Sequence, residues 1–131
     1  MNIGWEEALE AMYGTQVSDK QVPIWEHYLK ADNTNSAELV EAIGMAADDN
    51  LKPVEWRVTV RDLRNWLKRY RAIQYAERNK ADAESKKQAF IAQWREKLDR
   101  GVSQDDFLAA LDQLPIRITD RNDICRLVLS R

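Results

Sequence analysis

Four cations, Arg61, Arg64, Lys68 and Arg71, follow one another at steps of three, four and three residues. On an α-helix those steps bring side chains to one side, over roughly 15 Å at about 1.5 Å rise per residue. A row of that length suits the repeat of backbone phosphates, so the chemistry on offer is neutralisation of DNA, or of an acidic partner, with affinity that falls steeply as salt rises. Arg57 and Lys52 just upstream would widen the patch, and Tyr75, near the basic side, is the candidate for stacking on a base. The plainer reading is a solvated face that complements the acidic start of the same chain or of a second copy. Residues 1 to 50 hold ten acids and two bases, a balance of -8, and residues 51 to 80 hold nine bases and three acids, a balance of +6, within a net charge of only -2.

Covalent chemistry has no comparable signal. There is no phosphate-cradling Gly-rich loop, no His-Glu-x-x-His, no nucleophile elbow and no Cys-x-x-Cys. A single His, His27, and a single Cys, Cys125, cannot supply a Cys/His zinc set, and no Ser, Cys or Asp pattern near His27 calls for a base. Asp48 and Asp49 lack the alternating oxygen ligands and following Gly of a calcium loop. Cys125, among Ile124, Leu127 and Val128, reads as a buried thiol. The expectation is a protein that is not an enzyme, with no catalytic residue, metal or cofactor. No basic start followed by an apolar run marks a signal peptide, and no apolar stretch approaches membrane-spanning length, so a cytoplasmic protein is expected.

The element that must carry the row runs from Trp56 to Arg78. Thr59 reads as its N-cap, Asp62 answers three residues on as a short capping box, and Val58 staples onto Leu63. Leu63, Trp66, Leu67, Tyr70 and Ile73 then recur at spacings of three and four, which defines a core face opposite the cations. Ahead of it, Val54, Trp56, Val58 and Val60 alternate with polar residues as a short extended connector that lays Trp56 and Val58 against the core.

The remaining elements are also helical. Abundant Ala, Glu, Lys and Arg against four Gly and three Pro argue for an all-α fold, and 131 residues suit one domain with a core of its own. Asn2 would cap a first helix with Trp5, Ala8, Leu9 and Met12 inward, stopped by Gly14. Pro23 opens a second helix whose apolar side is Ile24, Trp25, Tyr28 and Leu29. Asn35 with Glu38 resembles a capping box for a third, running through Leu39, Val40, Ile43 and Ala47.

From Val60 to Arg100 there is neither Gly nor Pro, and between Ala76 and Gln88 almost every residue is polar or Ala. The apolar stripe resumes at Phe90, Ile91, Trp94 and Leu98, which favours two helices meeting at a hinge near Asn79 to Ser85 over one projecting helix; partial disorder at 79–88 is a further alternative. Gly101 closes that run, Ser103 caps the next helix with Asp106 answering, and a last helix carries Ile124, Leu127 and Val128. Six or seven helices, arranged around the central basic one, are expected.

A helix holding Ile24-Trp25, another around Leu39 to Ile43, an extended Trp56-Arg57-Val58-Thr59-Val60 and then Asp62-Leu63 opening a basic helix resemble the layout of small phage proteins that load or inhibit a replicative helicase. The resemblance covers residues 20 to 75 and is one of pattern. It implies a non-enzymatic helical adaptor of phage or mobile-element DNA metabolism that contacts a ring helicase and either origin DNA or an origin-bound protein. The alternative is a protein-interaction module, an inhibitor or a homodimer, that binds no nucleic acid.

Overall fold

The computed structural model describes residues 3–53 and 57–130. Among the described residues there are seven helices and no strand: α1 (Trp5–Tyr13), α2 (Val22–Ala31), α3 (Ser36–Asp48), α4 (Val60–Arg78), α5 (Lys80–Asp99), α6 (Gln104–Asp112) and α7 (Ile118–Leu129). The all-α expectation holds. The contacts divide the chain into two compact units, Met1–Arg71 and Ala72–Arg131, each with its own cluster of buried apolar side chains.

The first unit is closed by α1, α2, α3 and the opening turns of α4. Trp5, Ala8 and Leu9 of α1, Leu29 of α2, Leu39, Ala42, Ile43 and Ala46 of α3, and Leu63, Trp66 and Leu67 of α4 form its core together with Val58. The alanines let α1 lie against α3. Trp5 stacks on Trp25 at 5.8 Å between ring centroids, and Tyr13 stacks on Trp66 at 4.8 Å.

The entry to α4 forms as its sequence predicts. Thr59 N–H and Oγ1 donate to Asp62 Oδ2 at 2.9 and 3.1 Å, and Asp62 N–H donates to Thr59 Oγ1 at 3.3 Å. Val58 N–H is taken by the buried Thr15 hydroxyl at 3.2 Å, which fixes the segment just ahead of the helix. The roles expected of Val54 and Trp56 fall outside the described residues.

Three expectations about α1 and α2 change. The cap placed at Asn2 lies outside the described residues, and Gly4 stands at the N-cap position instead, with Trp5 N–H donating to Ser36 Oγ at 3.1 Å. Gly14 does end α1, in a left-handed conformation at φ 68°. Of the side assigned to the α2 core, only Trp25 and Leu29 turn inward, while Ile24 and Tyr28 are 57 % and 49 % exposed, and Met12 of α1 is exposed as well. The pairs 24/28 and 25/29 have the same spacing, and Trp5 is what Trp25 has to stack on.

The second unit has a smaller core of Ile91 and Trp94 from α5, Phe107 and Leu111 from α6, and Ile124 and Val128 from α7. Phe90, Trp94 and Phe107 meet as a tilted aromatic trio, and Lys97 places its ammonium 4.5 Å from the Trp94 ring centre. Gly101 ends α5's last turn at φ 98°, and the Ser103 hydroxyl accepts from Asp106 N–H at 3.2 Å to start α6. Cys125 packs at the edge of this core and is half-buried, less enclosed than its apolar neighbours suggest. Residues 80 to 88 are helical, and α4 and α5 are separate helices parted at Asn79.

Candidate functional site

The basic row lies along α4 as its spacing predicts, but its members do different work. Arg64 donates to Asp32 in the two-pronged manner of a guanidinium on a carboxylate, Nε to Oδ2 at 2.7 Å and Nη2 to Oδ1 at 3.2 Å. Arg71 reaches the same loop two turns further on. Its Nη2 and Nε hold the two carboxylate oxygens of Glu38 at 2.7 and 3.1 Å, while Nη1 and Nη2 also donate to the main-chain oxygens of Asp32 and Asn33 at 2.8 and 3.1 Å.

Those two carbonyls lie just past the end of α2, where a helix leaves its acceptors without partners. Asn33 turns the chain there in a left-handed conformation, φ 52°. Arg71 therefore clasps the α2–α3 loop onto α4. Both carboxyl groups titrate below their ordinary range: Asp32 chiefly because Arg64 hydrogen-bonds it, and Glu38 chiefly because Arg71 does.

Arg61 and Lys68 stay exposed, with no hydrogen-bonded or ion-paired partner among the described residues. Asn65 is exposed between them, four residues after Arg61 and three before Lys68, so Arg61, Asn65 and Lys68 form an exposed polar strip on this face, from which the Lys68 charge helps to lower the Asp32 carboxyl. Arg69, on another side of α4, pairs with the buried carboxylate of Asp49 at the end of α3, and Tyr70 donates to Glu41.

Arg57 is exposed and lines a shallow depression of about 420 Å³ with Glu6, Glu7 and Glu10 of α1 and with Gln16, Ser18 and Gln21. Tyr75 belongs to the second unit, 60 % exposed at the lip of a groove lined also by Phe90, Leu114 and Ile124.

The sequence reading passed over Asp32 and Glu38 as partners of the row. The acidic balance of the first fifty residues was the available signal, but it names no residue. Of the capping box that Asn35 and Glu38 resemble, one half forms: the Asn35 side chain accepts Glu38 N–H at 2.9 Å, while the Glu38 carboxylate goes to Arg71 and to the Thr34 hydroxyl. Among the described residues no group of three or more His, Cys, Asp or Glu is placed to hold a metal ion, and no helix is long and apolar enough to cross a membrane. No family model, curated protein or solved structure matches the chain.

Proposed function

We propose that this chain is a non-enzymatic interaction protein whose α4 strip, Arg61, Asn65 and Lys68, engages an acidic surface on a partner protein. One observation supports the reading: Asp32 and Glu38 pair with Arg64 and Arg71 from within the chain, while Arg61 and Lys68 on the same helix are exposed and in no ion pair among the described residues, Lys68 acting on Asp32 only through its field. Two cations at the ends of a short polar strip suit one or two ion pairs across a protein interface, where they steer encounter and set register. The layout of residues 20 to 75 makes a replicative helicase of a phage or mobile element the first partner to try.

DNA is the second reading. It is favoured by the 39 % side-chain exposure that Arg64 and Arg71 retain despite their ion pairs. Salt dependence separates the two. Four phosphate contacts give a slope of log affinity on log salt of about -3.6, and two give about -1.8.

Fluorescence anisotropy with labelled single- and double-stranded DNA at low ionic strength is expected to show no saturable binding. A slope near -3.6 that falls on Arg64→Gln would overturn the protein-partner reading. Light scattering at two salt concentrations tests whether the partner is a second copy, since a dimer doubles the mass without any ligand.

A further inference from the structure

The junction between α4 and α5 has neither the glycine stop nor the side-chain cap that marks several other boundaries of the chain. Gly14 and Gly101 end α1 and the last turn of α5 in left-handed conformations, the Asn35 and Ser103 side chains cap α3 and α6, and the Thr59–Asp62 pair starts α4. Between α4 and α5 only Asn79 is non-helical, at φ -123° and ψ 57°, and its side chain does not cap α5. Its amide nitrogen donates backwards, to the Tyr75 carbonyl oxygen at 2.9 Å, and its own N–H donates to that same oxygen at 3.0 Å. Its carbonyl oxygen accepts from Ala83 N–H at 3.0 Å. Helical hydrogen bonding thus runs up to Asn79 from one side and away from it on the other.

The flanking residues are built to continue. Tyr75-Ala76-Glu77-Arg78 and Lys80-Ala81-Asp82-Ala83-Glu84 contain no Gly or Pro, and Ala, Glu, Lys and Arg rank among the strongest helix formers. A side-chain amide bonded to the carbonyl one turn back is a known cause of helix bending, and it is the only feature at this junction that favours the bend locally. What the bend creates is an open, mostly apolar groove of about 710 Å³ in the second unit, with Tyr75 and Ala76 on one side and Leu114, Ile116 and Ile124 on another. Of the large apolar side chains that the end of α4 brings to it, Ile73 is buried while Tyr75 stands in solvent.

We propose that Asn79 is a two-state hinge. In the bent state, the one described, the groove is formed; in the straight state α4 and α5 join as one helix from Val60 to Asp99 and the groove is gone. Straightening moves the Asn79 ψ from 57° to about -42° and gives the first amides of α5, which a helix start leaves without intrahelical partners, the carbonyls of Ala76, Glu77 and Arg78. It exposes Ile73 and gives up the Asn79 side-chain bond. The groove is therefore a conformation-dependent surface. The hinge rests on this junction alone, and it stands whether or not α4 binds a protein.

Double electron–electron resonance between nitroxide labels at Gln74, partly exposed, and Ala92, exposed, both within the second unit, in a chain carrying Cys125→Ser, reads the two states. A straight helix separates those positions by about 27 Å at ~1.5 Å per residue, and the bent form holds them closer. Two distance populations are expected in the otherwise native chain. Asn79→Ala removes the bond to Tyr75 and supplies the best helix former, so the long population should rise several-fold.

Lys80→Pro fits the first position of α5 and disfavours a helical Asn79, so the long population should vanish. Circular dichroism of both variants checks that helix content is kept. The same single distance in the native chain and in Asn79→Ala, or a long population that survives Lys80→Pro, overturns the hinge.

Discussion

The two units use ion pairs differently. In the first, Arg64–Asp32, Arg69–Asp49 and Arg71–Glu38 join residues 32, 20 and 33 positions apart. In the second, Lys86–Asp82 and Arg100–Glu96 are one helical turn apart, Arg126–Asp123 three residues apart and Arg121–Asp112 nine. The same chemistry has opposite consequences. Pairs within a turn add a few tenths of a kcal/mol to a helix that forms anyway, whereas the distant pairs tie loops and helix ends onto α4. In the first unit the three distant pairs converge on α4, while in the second the within-turn pairs stand beside two ties between helices, Arg121 to Asp112 of α6 and Arg95 to the Leu127 carbonyl oxygen of α7.

Substitutions can break or sharpen this contrast, and urea unfolding followed by circular dichroism measures each. The largest effect is expected for Phe107→Ala, fully buried at the centre of the second core, at about 3–5 kcal/mol. Asp49→Ala is next, at about 1–3 kcal/mol, because it removes a buried carboxylate that hydrogen-bonds the Arg69 guanidinium, only 14 % exposed.

Arg71→Ala should cost about 1 kcal/mol, since it breaks hydrogen bonds to a carboxylate and two carbonyls in a half-exposed setting where solvent screens part of the gain. Its cost carries a pH signature. Glu38 is held below its ordinary value of 4.5, so its contribution is fully present above that pH and is lost as pH falls through the lower native value. The gap between native chain and Arg71→Ala should therefore narrow in acid and stay constant from pH 6 to 8.

The smallest effect belongs to the second unit's pairs. Asp82→Asn combined with Glu96→Gln should change stability by less than about 0.5 kcal/mol. If that double variant costs as much as Arg71→Ala, the contrast between the units fails.

Local devices were legible because each is written within four residues. Thr59 with Asp62, Ser103 ahead of Asp106, and the stops at Gly14 and Gly101 all stand where residue type demands them. Spacing also gave the inward face of α4, since Leu63, Trp66, Leu67 and Ile73 are all buried. The state of the cations was not legible. Nothing in the spacing of Arg64 and Arg71 says that the loop after α2 comes within hydrogen-bonding reach, because that depends on how α2 and α3 pack.

The same limit explains Ile24 and Tyr28, which a helical wheel cannot tell from Trp25 and Leu29 until Trp5 arrives as a partner. The break at Asn79 lies between these cases. A polar stretch without a stripe marked the region, and the residue itself was settled by one side-chain hydrogen bond.

Trp94 has an optical consequence. It is the sole tryptophan between residues 72 and 131, while the other four fall in the first 71. Its ring is packed against Phe90 and Phe107 under the Lys97 ammonium, and indole emission responds to charge and solvent at that range. The difference spectrum between the native chain and Trp94→Phe therefore isolates the second core, so the two units can be watched in two colours of one unlabelled protein.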